Sequence, residues 1–185
     1  IQNPVPSGVR VRFPPQVLRS LTLKQGEAFF FHTLLQYIHN MNEHPFSPKQ
    51  QRYDKAYLKM ALEWAQLSHC ERKKVGALIV KDRMIISDGF NGTPTGFENP
   101  CEDEQNYTKW YVLHAEANAI TKVASSPASA HGATLYITLS PCKECSKLIH
   151  QVGIKKVIYI HEYKDRSGLD FLIKAGVEVV QMAID

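Results

Sequence analysis

No run in the 185 residues comes near the roughly 18 uncharged apolar residues of a membrane span, and the chain does not open on a charged-then-apolar leader. The expectation from these two absences is a cytoplasmic protein with no membrane partner. Internal repeats and low-complexity tracts are also missing, which argues against a repeat architecture. Cysteine is scarce: the four residues Cys70, Cys101, Cys142 and Cys145 sit in a chain without secretory features, where such spacing reads as metal binding or catalysis before disulfides. A strong charge of one sign is absent too. The 22 basic and 18 acidic residues leave a net charge of +4, which suits a phosphate-bearing ligand but is too small to demand a nucleic acid.

What remains is ordinary globular material, 44% hydrophobic and 22% charged, enough for one well-buried domain plus an appendage. The appendage is residues 1–50, punctuated by Pro4, Pro6, Pro14, Pro15, Pro45 and Pro48 around an apolar stretch from Ala28 to Ile38. That stretch has the spacing of a helix that packs on the domain or on a partner. The domain itself is expected over 51–185. Tyr53, Tyr57, Met60, Ala61 and Trp64 recur at helical spacing, so a helix opens it. Val75–Val80 and Met84–Ser87, separated by the charged Lys81, Asp82 and Arg83, read as a hairpin. A Gly-, Pro- and Asn-rich segment from Gly89 to about Trp110 follows and is too long for a mere connection. Helix and strand patterns then alternate: helix 114–124, strand 134–139, helix 142–151, strand 155–161, helix 167–175 and strand 177–182. Such alternation predicts an α/β layered fold.

Two short motifs carry the chemistry. His114-Ala115-Glu116 stands where the long loop gives way to a helix, and Pro141-Cys142-Lys143-Glu144-Cys145 opens the next helix after a strand. Two cysteines three apart on a first helical turn face one way, so both sulfurs can reach one ion, and the positive helix terminus lowers their pKa. With His114 they make three zinc ligands, and the fourth, open position holds water that the metal makes acidic. Glu116, two residues from His114, can move protons without entering the coordination shell. A closed structural zinc site would instead use four protein ligands.

His-x-Glu followed by Pro-Cys-x-x-Cys is the arrangement of zinc nucleobase deaminases. Beyond it, the stretch from about Arg52 to Val180 resembles the deoxycytidylate (dCMP) deaminases of the cytidine deaminase superfamily. The likeness includes Val75-Gly76-Ala77, Gly89-Phe90-Asn91-Gly92-Thr93-Pro94-Thr95-Gly96, Cys101-Glu102-Asp103 and Gly132-Ala133-Thr134-Leu135-Tyr136. The resemblance implies a three-layer α/β/α sandwich around a mixed, about five-stranded sheet. It implies hydrolysis of dCMP to dUMP and ammonia, with zinc-activated hydroxide adding to C4 and Glu116 carrying protons to N3 and to the departing amine. It further implies that Asn91 meets the sugar 3′-hydroxyl, Arg72 the 5′-phosphate and Tyr163 the base, with Ala115 in the same substrate-binding set. A homo-oligomer, commonly a hexamer, with dCTP and dTTP as Mg²⁺-bound effectors, comes with the family.

Several alternatives stay open on the residues alone. Arg72, Lys73 and Lys74 also suit a solvated turn, and Tyr163 a packed strand end. The resemblance also implies a second, structural zinc site at Cys70 and Cys101, as some members of the family tether the long loop, with Glu104 or His69 as a third ligand; two buried free thiols are the alternative. A base deaminase acting on tRNA or single-stranded nucleic acid shares the zinc motifs but calls for a wider basic surface with interleaved aromatics. A catalytically retired zinc-containing regulatory subunit would have no need of Glu116.

Overall fold

The structure, a computed structural model, describes residues 9–11 and 47–184. The apolar stretch Ala28–Ile38 lies outside the described residues. Helix α1 (Pro48–Gln66) begins after Ser47, whose hydroxyl accepts a hydrogen bond from the Gln50 amide at 3.1 Å, with Pro48 in the first turn where a missing N–H costs nothing. Strands β2 (Gly76–Lys81) and β3 (Met84–Phe90) form the expected hairpin. Its turn residues Asp82 and Arg83 take φ of 49° and 63°, the left-handed pair that matches the twist of a two-residue hairpin. Helix α2 (Ala115–Ala124), strand β4 (Thr134–Leu139), helix α3 (Lys143–Gln151), strand β5 (Lys156–His161), helix α4 (Ser167–Lys174) and strand β6 (Glu178–Met182) then alternate as the sequence pattern predicts.

With β1 (Val9–Val11) at one edge, the strands assemble in the order β1-β6-β5-β4-β2-β3. Strands β4, β5 and β6 run parallel, while β2 pairs antiparallel with both β3 and β4. This is the mixed sheet expected, with one difference. A short strand β1 (Val9–Val11), within the segment taken as an appendage, adds a sixth, antiparallel edge strand against β6. Three residues carry too weak a pattern to be recognised from sequence.

Both sheet faces are covered, so inner strands bury residues of both parities. Leu78, Tyr136, Ile158 and Val180 pack under Tyr57, Leu58 and Ala61 of α1. On the opposite face Ile79, Leu135, Ile137 and Val157 pack against Ala119 of α2, Ile149 of α3 and Leu169 and Leu172 of α4. Among the described residues no helix is long and apolar enough to cross a membrane.

The α1 layer carries a buried polar tie. Tyr136 Oη donates to Asp54 Oδ1 at 2.5 Å and Gln50 Nε2 donates to the same oxygen at 2.8 Å, while Oδ2 has no hydrogen-bond partner among the described residues. Burial raises the Asp54 pKa above the ordinary carboxylate value, against the pull of the Tyr136 hydroxyl. A raised folded-state pKa contributes stability at low pH that is lost as pH rises through the raised value. Tyr136→Phe removes a donor to the ionised form, so it should cost about 1–3 kcal/mol at pH 7 and less at acid pH. Urea melts at the two pH values check this. An equal cost at both would show that the hydroxyl does not serve the Asp54 charge.

Candidate active site

The parallel strands end where α2 and α3 begin, and the functional side chains gather at that edge. His114 is the N-cap of α2 and Cys142 the N-cap of α3, with Cys145 in the first turn of α3. Close packing brings the two helices there. A Cβ on Gly89 of β3 would overlap the Ala115 carbonyl and lie 2.7 Å from the Ala119 amide nitrogen, so only glycine lets α2 sit this near the sheet. Gly168 does the same for α4, where a Cβ would lie 2.7 Å from Ser146 Oγ and 2.8 Å from the Cys142 carbonyl carbon.

His114 Nδ1 is 3.5 Å from Cys142 Sγ and 3.4 Å from Cys145 Sγ, and one ligand atom from each of the three lies within 4.8 Å of the others. A tetrahedral zinc ion bonded to nitrogen at 2.0–2.1 Å and to sulfur at 2.3 Å requires a nitrogen–sulfur edge of about 3.6 Å. The donor set therefore fits zinc in both kind and spacing, and it points to Nδ1 as the His114 ligand atom. Glu116 is not part of this group, although its carboxyl interacts with Cys145.

The electrostatics match a shared charge. A hydrogen bond from Cys145 holds the Cys142 thiol down to about 3, against burial and with help from His114, whereas Cys145 is pushed up by its bond to Cys142 and by burial. The hydrogen bond to Cys142 raises His114, opposed by burial. A divalent cation among them would take the place of the Cys145 proton and recruit the second thiolate. Glu116 is 3% exposed, and burial pushes its pKa up to about 7, the range in which a carboxyl both takes and gives protons.

Beside the triad lies a cavity of about 330 Å³ whose wall includes Arg72, Asn91, Ala115, Glu116 and Tyr163. All the residues expected to bind substrate are thus together on one surface. Asn91 is already engaged: its Oδ1 accepts from the Val75 amide and its Nδ2 donates to the Lys73 carbonyl, each at 2.8 Å. One N–H and one lone pair of the amide remain for a ligand. Ser140 Oγ accepts from the Tyr163 amide at 2.8 Å and fixes the approach of that residue to the cavity. Ser140 and Lys164, which also line the wall, were not recognisable as site residues, because neither stands in a distinctive motif.

The second-metal expectation is corrected. Cys70 and Cys101 are joined as a disulfide across 31 residues, so their sulfurs are neither free thiols nor ligands. Among the described residues neither Glu104 nor His69 belongs to a metal-ligating cluster. The loop between also differs from the expected boundary, since β3 runs on through Phe90 and Gly92 pairs with Leu113 to close the loop at its base.

A three-layer α/β/α fold with a His/Cys/Cys triad and a buried glutamate at the strand ends defines a zinc hydrolase of the deaminase class. A family profile described as the cytidine and deoxycytidylate deaminase zinc-binding region matches residues 51–161. The chain belongs to that cytidine and deoxycytidylate deaminase family. It is 34% identical over 165 residues to the deoxycytidylate deaminase of Enterobacteria phage T4, covering 66% of this chain and 86% of that one. Over 124 residues it is 38% identical to the deoxycytidylate deaminase of Mycobacterium phage D29, covering 60% of this chain and 95% of the other. A crystal structure of the dCMP deaminase of cyanophage S-TIM5, in complex with dCMP and dUMP, superposes with a TM-score of 0.69 at 46% identity, covering 74% of this chain and 99% of that one.

Proposed function

We propose that the chain hydrolyses dCMP to dUMP and ammonia and so supplies the precursor for thymidylate. The observation that carries this reading is the convergence of three cations, Arg72, Lys73 and Lys164, on the cavity that also holds the His114/Cys142/Cys145 triad and Glu116. A 5′-phosphate is what such cations fit, and a planar base beside Tyr163 would lie between them and the triad. The likeness to proteins named deoxycytidylate deaminase supports the same choice.

In this reading His114, Cys142 and Cys145 hold zinc, which when bound acidifies a water at its open position. Glu116 would take one proton from the attacking water and deliver it to N3 of the base, then carry the proton of the hydroxyl newly bonded to C4 to the amine as the C4–N bond breaks, leaving the C4 carbonyl and ammonia. Asn91 meets the 3′-hydroxyl with its remaining capacity, Tyr163 faces the base and Arg72 meets the phosphate. In this reading the catalytic domain is residues 51–185 joined by the start of α1 from Pro48 and by the edge strand β1, and the remainder of residues 1–50 is an appendage to it. Regulation by dCTP and dTTP with Mg²⁺ and assembly into a hexamer belong to the same reading. The 93% exposed Trp110, with the exposed Phe97, offers apolar surface of the kind a subunit contact covers. The cytoplasmic location rests on the soluble nucleotide substrate.

The test is to incubate the pure protein with dCMP, CMP, deoxycytidine and a cytosine-containing oligonucleotide and to follow ammonia release, with and without dCTP and Mg²⁺. Turnover of dCMP above the others is expected; none in either condition would sink the proposal. Arg72→Ala should lower kcat/KM for dCMP about 10- to 100-fold, the worth of a charged hydrogen bond, and affect deoxycytidine far less. Equal losses on both substrates would remove Arg72 from phosphate binding.

A further inference from the structure

Glu102 is the buried acid of the cavity wall with no part in the chemistry above. The residue is 6% exposed, and its two carboxylate oxygens accept from successive backbone amides: Oε2 from Glu71 at 3.1 Å and Oε1 from Arg72 at 3.2 Å. The same strip of loop reaches Arg72 at its other end. Glu102 pairs with Thr108, and Thr108 Oγ1 accepts from Arg72 Nη1 at 3.3 Å. The adjoining Cys101–Cys70 disulfide fastens this strip to the residue two before Arg72, so the loop holds the arginine by both backbone and guanidinium.

A carboxylate beside an anion site works against the anion unless its charge is spent elsewhere. Here it is spent on two amides, those of Glu71 and of Arg72, the second of which lies in the cavity wall. Glu102 therefore spends its charge on the backbone that carries Arg72 and holds that residue in one place. Holding a flexible cation in place before binding removes an ordering cost that would otherwise appear in affinity.

We propose that Glu102 is the positioning residue for Arg72 and, through it, sets the preference for a nucleotide over a nucleoside. The proposal rests on dCMP being the substrate. Glu102→Gln keeps the shape but places an NH₂ group against one of the two amides. It should raise KM for dCMP about tenfold with kcat changed less than about threefold, and so shrink the ratio of kcat/KM for dCMP over deoxycytidine about tenfold. In an Arg72→Ala background the same substitution should add less than about twofold, because the two act as one unit. Full additivity, or an unchanged substrate ratio, would overturn the proposal. So would equal losses on both substrates or a variant that does not fold, which make Glu102 a structural residue only. If the unsubstituted protein fails to deaminate dCMP, the substrate reading falls instead, and the two failures are distinct.

Discussion

Glu116→Gln is expected to lower kcat for dCMP about a thousandfold while the protein keeps about one zinc ion per chain, read by turnover assay and elemental analysis. The glutamine amide occupies the same volume at a site only 3% exposed, so packing around α2 should survive. It cannot take up or release a proton near neutrality. The carboxyl it replaces sits near 7 because burial disfavours its charge, with the His114 charge pulling the other way. Because Glu116 lies outside the group of mutually close ligand atoms, zinc retention separates a proton carrier from a ligand. Loss of zinc together with activity would make Glu116 part of the metal site. Full activity would remove it from the mechanism.

The elements that bear this chemistry were legible because their residues are locally determined. His114 and Cys142 mark helix starts, and the β4 pattern gave its bounds directly, Thr134–Leu139. Helix α1 was legible too, though it begins at Pro48 because Ser47 caps it before the apolar repeat from Tyr53 takes hold. What stayed hidden depends on contacts distant in sequence. Cys70 pairs with Cys101 only because the loop folds back onto the segment before β2, and no spacing rule foretells which thiol a long loop returns. Glu102 was visible as part of a motif, but its bonds to the amides of Glu71 and Arg72 cross 30 residues or more. Gly89 looked like the start of a loop because glycine is a loop signal. In the fold it is a strand residue whose missing side chain admits α2.

The two cysteine pairs make opposite predictions, and the larger effect belongs to the pair on α3. Cys145→Ser should abolish detectable deamination and reduce bound zinc from about one ion per chain to near zero after dialysis. A serine hydroxyl is nearly isosteric with the thiol but does not ionise near neutral pH, so the 4% exposed site would keep its packing and lose its soft anionic donor. Loss of the metal should also lower the melting temperature, since binding energy gained only in the folded state is folding energy. Cys70→Ser with Cys101→Ser should behave differently. Without the bridge the loop is freed next to Arg72, so KM for dCMP should rise and stability fall by about 2–4 kcal/mol, while zinc stays bound. Stoichiometric zinc in Cys145→Ser, or its loss from the double variant, would exchange the roles of the two pairs and return the metal to the loop. Zinc content and KM measured on both proteins decide it, because chelation at the helix termini and tethering at the loop act on different quantities.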